Sequence, residues 1–387
     1  MAEKVTFVPL SYTGWGALGQ LTAEVARFDG KHILLVTDPF LVELGLADQV
    51  TGPLERAGCK ISLYTEVVPE PPLAVGEKLV AFAKNGSFDL VIGLGGGSAL
   101  DLAKLAAVLA ANAGTVADYL NLSGTRAIEE KGLPKILIPT TSGTGSEVTN
   151  ISVLSLETTK DVIAHDWLLA DVAIVDPALT LSLPPKITAA TGIDALTHAV
   201  EAYISVNANP VTDAMALQAI RLISGSIRTA VQDGNDRDAR SAMSYGSFIA
   251  GIAFFNAGVA GVHALAYPLG GQFHISHGES NAVLLPYVMD YIRPSCEERM
   301  KDIYEALGFS TEDLSAGSAS TRCIDELHRL VKDVGIETTL QGFGIPESAL
   351  ERLADAGAEQ KRILARSPMP LARDDIYSIY KSAFAGR

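Results

Sequence analysis

The sequence predicts two halves: an α/β half with a parallel sheet covered by helices on both faces, then an all-α half. Two observations carry this. From Lys31 to Val175, short apolar runs of strand length alternate with helix-like segments, and that alternation builds a parallel sheet. Beyond Leu183-Pro184-Pro185 the strand-like runs fade and long Ala-, Leu- and Ile-rich segments take over. The boundary is set near Leu183, giving an α/β domain over 1–183 and a helical domain over 184–387. No repeat array, low-complexity segment or flexible linker is evident, so the halves are expected to pack tightly and leave a cleft.

Taken in order, Lys31 to Asp38 reads as a buried strand ending in an acid. Phe40 to Ala57 reads as a helix interrupted around Gly52-Pro53. Lys60 to Tyr64 is a second strand. Pro71 to Lys84 reads as a helix whose early proline does no harm, because its missing N–H would be unpaired there anyway. Asp89 to Gly93 is a strand, and Ser98 to Ala111 a helix rich in Ala and Leu. Lys135 to Pro139 and Val172 to Val175 complete the sheet pattern. In the second half, Gly192 to Tyr203 reads as a buried helix, since no glycine or proline follows Gly192 before Pro210. Further helices are expected over 210–232, 238–255, 263–271, 296–307, 322–334 and 349–359.

Composition narrows the function classes. A formal net charge of -15 argues against sequence-independent binding of nucleic acid, which needs clustered Lys and Arg, and against an anionic membrane surface. Three widely spaced cysteines, none in a CxxC pair, offer no disulfide or zinc-cysteine framework and suit a reducing compartment. With no signal-peptide pattern at the start and no apolar run of membrane-spanning length, a cytoplasmic protein is expected.

Two loops follow strands directly. Gly93-Leu94-Gly95-Gly96-Gly97-Ser98 opens a helix. Glycines let the backbone approach a phosphate, and a helix start supplies free N–H groups. Ser98 is suited to capping the helix or donating to phosphate. The dinucleotide fingerprint G-x-G-x-x-G is not met, because Ser98 takes the third glycine's place, and no acid stands about twenty residues downstream. Asp38 lies upstream instead. A carboxylate there would accept from a ribose and repel a 2′-phosphate, favouring NAD over NADP, but a turn residue before Pro39 fits equally well. The second loop, Pro139-Thr140-Thr141-Ser142-Gly143-Thr144-Gly145-Ser146-Glu147, is dense in hydroxyls and suits a phosphate or ribose.

The histidines carry the strongest signal. Asp194 and His198, four residues apart on a helix, leave the same face. On their own they read as a hydrogen-bonded core pair. His263 and His277 change that: with Asp194 and His198 they make one carboxylate and three imidazoles, which suits Fe(II) or Zn(II) better than Ca(II) or Mg(II). His274 rivals His277 for the last position. His32, His165 and His328 carry no such context.

These stretches together resemble the iron-containing, or group III, alcohol dehydrogenase family. The matching segments are Gly95-Gly96-Gly97-Ser98 with Asp101 and Lys104, Pro139 to Glu147, Asp194 to Tyr203, His263-Ala264-Leu265-Ala266 and His277-Gly278, in order over about residues 5–385. The resemblance implies the dehydroquinate synthase-like fold: a Rossmann-like N-terminal nucleotide-binding domain, a C-terminal all-helical metal-binding domain, and an active site between them. It implies that Asp194, His198, His263 and His277 bind a divalent metal, Fe(II) in preference to Zn(II). It places NAD contacts at Asp38, Gly96, Gly97, Ser98, Thr140, Thr141 and Thr144, with Gly95 in the same loop, and adds Asn150, Lys160 and Leu179. Homodimers or larger assemblies are implied as well. One departure lies near the chemistry. Many members carry a histidine four residues after the third ligand, with a supporting role in proton movement, where this chain has Tyr267. Phe254 and Phe255 suggest an apolar substrate pocket.

The expected reaction is reversible oxidation of a small primary or short-chain alcohol to its aldehyde or ketone, by hydride transfer to the nicotinamide of NAD. A reductase of polar or acidic semialdehydes is the nearest rival. A dehydroquinate-synthase-like lyase would need basic residues around an acidic substrate, and the residues flanking these histidines are mostly apolar. A metal- or nucleotide-binding protein without turnover is a further alternative.

Overall fold

The computed structural model describes residues 4–156 and 160–386. The chain packs as two compact units, one of Phe7–Thr141 with Gly145–Leu181, the other of Met1–Thr6, Ser142–Thr144 and Ser182–Arg387.

The first unit holds β1 (Ser11–Thr13), α1 (Leu21–Arg27), β2 (His32–Val36), α2 (Pro39–Glu43), α3 (Leu46–Arg56), β3 (Lys60–Tyr64), α4 (Leu73–Asn85), β4 (Leu90–Gly95), α5 (Gly97–Leu109), β5 (Lys135–Pro139), β6 (Ile151–Ser155), β7 (Lys160–Ala164) and β8 (Val172–Val175). Six strands run parallel in the order β1-β8-β5-β4-β2-β3, and β6 and β7 form a separate antiparallel pair. Every residue of β4 and β5 is buried, as expected of apolar strands covered on both faces. Helix α5 is buried without a break from Ala99 to Leu109. Its small side chains let it lie close to the sheet: a Cβ on Gly93 of β4 would fall 2.8 Å from the Cβ of Ala103. Apart from the edge strand β1, the order reverses direction between β2 and β4. Doubly wound sheets bind ligands at strand carboxyl ends beside such a reversal.

Some local expectations fail. The predicted single helix over 40–57 is two helices, broken at Gly45 (φ +72°) and not at Gly52-Pro53. Pro53 sits inside α3, where buried Leu46, Ala47, Val50 and Leu54 hold the helix despite the missing N–H. Strand β1 and the β6–β7 pair were not expected. They are short, and β6 alternates buried with partly exposed residues, so neither forms a long apolar run.

The second unit contains α6 (Pro185–Ile204), α7 (Pro210–Gln232), α8 (Arg237–Ala257), α9 (Gly261–Phe273), α10 (His277–Ile292), α11 (Glu297–Ala306), α12 (Ala316–Asp333), α13 (Leu350–Ala358), α14 (Lys361–Leu364) and α15 (Arg373–Ala385). α6 is its central helix, with every residue from Gly192 to Ile204 buried. Asn209 caps α7 by accepting from the Val211 and Thr212 N–H groups, and Asp236 caps α8 by accepting from Ala239. Buried Arg240 of α8 donates to Thr188 Oγ1 and to the Leu183 carbonyl, which ties down the start of α6. α10 and α15 were not expected. Pro286 lies inside α10, buried, and the helix runs through it. No single described helix is long and apolar enough to cross a membrane.

Candidate functional site

The sheet brings the predicted nucleotide-loop residues of the first unit to one edge. β2, β4 and β5 are neighbours, so the residues after them are neighbours too. Asp38 follows β2, Gly96 to Ser98 follow β4, and Thr140 and Thr141 follow β5. Thr140 N–H donates to the Gly95 carbonyl (3.0 Å), and a Cβ on Gly96 would lie 3.5 Å from Thr141 Cγ2. Gly95 has φ +149°, and a Cβ there would fall 2.7 Å from the Cβ of Ala99, so only glycine fits without strain. Asp38 is the N-cap of α2: its Oδ1 accepts from Leu41 N–H at 3.0 Å. Its Oδ2 is turned towards the Gly95 backbone, 3.7 Å from the position of a Cβ there. Both readings of Asp38 are therefore compatible with its position.

Of the two roles expected of Ser98, the helix cap is not found. Gly96 is the N-cap of α5 and receives no side-chain bond, while Ser98 Oγ accepts from Glu70 N–H at 3.1 Å. Lys160 pairs with Glu70 (3.1 Å), which draws β7 towards the same loop. Asn150 Nδ2 donates to Asp166 Oδ1 at 3.2 Å, and Leu179 is buried. Thr144 belongs to the second unit.

Below the loops lies a buried polar network. Lys104 Nζ donates to Asp101 Oδ1 (3.1 Å), Ser146 Oγ (2.7 Å), Thr149 Oγ1 (3.1 Å) and the Ile151 carbonyl (2.8 Å). Asp101 in turn accepts from Ser146 Oγ and from Val153 N–H. One ammonium thus fastens α5 to the hydroxyl loop and to β6. Burial raises the Glu147 carboxyl to about 7, against the pull of a backbone N–H and of Lys104. A carboxyl whose folded pKa exceeds its unfolded value of 4.5 supports the fold fully below that value, and the support is lost as pH rises through about 7. Glu147→Gln carries no such loss. Its melting temperature should match the parent's at pH 5 and exceed it at pH 8, read from paired thermal melts; an unchanged difference across that range would count against a buried, titrating Glu147.

The second unit brings together Asp194, His198, His263 and His277. One ligand atom from each lies within 4.8 Å of all the others. α6 supplies Asp194 and His198 one turn apart, α9 supplies His263, and the first residue of α10 is His277. His277 Nε2 and His263 Nε2 stand 3.6 and 3.8 Å from Asp194 Oδ1. His274 is exposed at the left-handed cap of α9 (φ +56°), outside the cluster, so His277 and not its rival joins the other three. Burial pushes His198 down to about 4, so it is neutral at ordinary pH, as a metal-binding imidazole must be. Burial alone would raise Asp194, but His198, His277, His263 and Asn281 outweigh it and hold the carboxyl below its usual value. The Nδ1 of His198 is buried with no hydrogen-bond partner. Three imidazoles and a carboxylate with an unmet nitrogen among them fit a divalent transition metal.

Phe254 stacks on His198, with ring centroids 4.2 Å apart, and gives the cluster one apolar wall. Tyr267 follows His263 by one helical turn, with its ring centroid 6.1 Å from that of His277. Burial raises its phenol pKa. Its phenol therefore keeps its proton at neutral pH.

Two residues with a part in this geometry carry no role in the sequence analysis. Asn281 Nδ2 donates to Asp194 Oδ1 at 2.7 Å. Glu201 accepts from His263 Nδ1 at 2.5 Å. Spacing could have found both. Glu201 is seven residues beyond Asp194 on α6, and Asn281 four beyond His277 on α10, so each shares a helix face with a predicted ligand.

The chain matches known proteins over nearly its whole length. The family model "Iron-containing alcohol dehydrogenase" matches residues 9–177, and "Fe-containing alcohol dehydrogenase family, C-terminal" matches residues 188–384. The long-chain-alcohol dehydrogenase 1 of Geobacillus thermodenitrificans is 70% identical over 383 residues, 99% of this chain and 97% of that protein. A crystal structure of 1,3-propanediol oxidoreductase superposes with a TM-score of 0.94 at 36% identity, covering 99% of this chain and 100% of the other. Sulfoacetaldehyde reductase from Bifidobacterium kashiwanohense, solved in complex with NAD+, superposes at 0.90 with 28% identity and full coverage of both chains (100%).

Proposed function

The chain belongs to the iron-containing alcohol dehydrogenase family and interconverts an alcohol with its carbonyl product; from that premise we propose that it works with NAD and one divalent cation, Fe(II) in preference to Zn(II). The observation that carries the cation is the convergence of Asp194, His198, His263 and His277. These four side chains would hold it. When bound, such a cation supplies Lewis-acid polarisation of the substrate oxygen.

The remaining work belongs to the chain. Gly95, Gly96, Gly97 and Ser98 at the start of α5 would hold the pyrophosphate of NAD through backbone N–H groups and the helix dipole. Thr140, Thr141 and Thr144 would supply hydroxyls, with Asn150, Lys160 and Leu179 completing the contacts and Asp38 accepting from the adenosine ribose. On this reading residues 1–183 serve the dinucleotide and 184–387 the metal and substrate. Phe254 keeps water from one side of His198 and favours an alkyl substituent over an acidic one. Tyr267 would donate a hydrogen bond without giving up its proton. The name of the 70%-identical relative supports testing chains longer than the short alcohols first expected. A cytoplasmic homodimer or larger homo-oligomer completes the proposal.

The deciding experiment uses metal-stripped protein restored with Fe(II) or Zn(II). It is assayed with primary alcohols from short to long chain, and with neutral and acidic aldehydes, in the presence of NAD(H) or NADP(H). The expected result is NAD-linked turnover of apolar primary alcohols that depends on restored metal. Full turnover by stripped protein, or turnover confined to acidic aldehydes, would overturn the corresponding part. Asp38→Gly isolates the ribose contact, because glycine at an N-cap loses only a few tenths of a kcal/mol. Losing a charged acceptor worth about 1.5 kcal/mol or more should cut the preference for NAD over NADP by about tenfold. An unchanged ratio of kcat/KM values would leave Asp38 with its cap alone.

A further inference from the structure

We propose that Glu201 is a positioning residue that sets the tautomer and aim of His263 and thereby the tightness with which the cation is held. The inference rests on the metal reading of the cluster. Glu201 is fully buried, with 0% exposure. A carboxylate removed from water needs several good donors. Glu201 receives them from the first turn of α9: Val262 N–H at 2.6 Å, His263 N–H at 3.4 Å and His263 Nδ1 at 2.5 Å. The N-cap residue of α9 is Ala260, which offers no side-chain cap. A carboxylate from α6 fills that place, at the end of the helix where negative charge is favoured.

This capping has a chemical consequence. A carboxylate can only accept, so Nδ1 of His263 must carry the hydrogen. In the neutral ring the lone pair is then on Nε2, the nitrogen that faces Asp194 Oδ1 at 3.8 Å. Helix α6 therefore carries two of the proposed ligands, Asp194 and His198, and at the next turn the group that orients a third. Asn281 of α10 is placed differently: its Nδ2 lies 2.7 Å from Asp194 Oδ1 and 3.2 Å from the Nε2 of both His263 and His277, among the ligand atoms themselves.

Glu201→Gln keeps the size and removes this arrangement. An amide has one oxygen, so it cannot accept from both Val262 N–H and His263 Nδ1–H. Either way round, its NH2 group faces a donor, or His263 turns to the other tautomer and presents Nε2–H to the cluster. Outer partners of metal-binding histidines typically alter metal affinity by about 10–100-fold. Zn(II) affinity, measured on full-length stripped protein by competition with a chromophoric chelator, should fall by about that factor in Glu201→Gln. In the His263→Ala background the same change should have less than about a twofold effect, because its route is gone. Glu201→Asp, which keeps the acceptor pair but draws it back, should fall between parent and Glu201→Gln.

An unchanged Zn(II) affinity in Glu201→Gln would overturn the proposal. So would an equal loss with and without His263, which would mark Glu201 as a cap of α9 and nothing more. If Glu201→Gln does not fold, Glu201→Asp in the two backgrounds decides the matter by the same criteria. Failure of the parent chain to take up Zn(II) at all is a separate result, and it would end the metal reading together with this one.

Discussion

His263→Ala will hold the cation much more weakly and lose most of the activity. Polarisation of a substrate oxygen by a bound metal is worth several kcal/mol, and each 1.36 kcal/mol is tenfold in rate, so kcat/KM should fall by about 1000-fold or more. Metal content after dialysis against a weak chelator should fall in parallel, because one of four converging donors is gone. The substitution also takes a hydrogen-bond donor from the buried Glu201 carboxylate. Circular dichroism and a thermal melt must therefore accompany the assay. Asp194→Asn offers a second route to the same end. It keeps the side-chain shape, removes the one negative charge in the donor set, and should also weaken the hold on the cation. A His263→Ala protein with full metal content and full activity would mean that the four residues meet for packing alone.

Lys104→Met should be the most destabilising single change in the first unit. The ammonium of Lys104 is completely buried and serves four acceptors from α5, the hydroxyl loop and β6. Burial pulls its pKa down, while Asp101 and Glu147 act to keep it charged. Methionine fills much of the volume but donates nothing, so Asp101 is left as an uncompensated buried carboxylate. Breaking such a pair costs about 3–5 kcal/mol. At about 2–4 °C per kcal/mol for a unit of this size, the melting temperature should drop by about 10 °C. Dinucleotide affinity should fall too, because the same ammonium holds Ser146 beneath the loop after β5. A variant that melts within about 2 °C of the parent would show that the network is dispensable.

The candidate site was legible in sequence to the extent that its chemistry is local. Asp194 and His198 are one helical turn apart, and that spacing alone puts them on one face. The glycine loop and the hydroxyl loop each follow an apolar run of strand length, so each could be placed at a strand end before any fold was known. Residues whose role depends on a distant partner were harder to read. Ser98 was read as a cap or a donor to phosphate; the cap is absent, because Glu70 N–H takes its oxygen, and no feature near Ser98 announces Glu70. No helix was expected over 277–292, yet α10 runs through Pro286, because burial of the helix around it outweighs one missing hydrogen bond.

By itself, then, the chain specified the two classes of fold and offered a candidate donor set, because hydrophobic period and side-chain chemistry act within a few residues. Tertiary structure alone decided that β2, β4 and β5 lie side by side, so that Asp38 meets the glycine loop. It also chose His277 over His274 and set Glu201 behind His263. Those outcomes come from packing between segments dozens of residues apart, where the free energy of burial decides which neighbours meet.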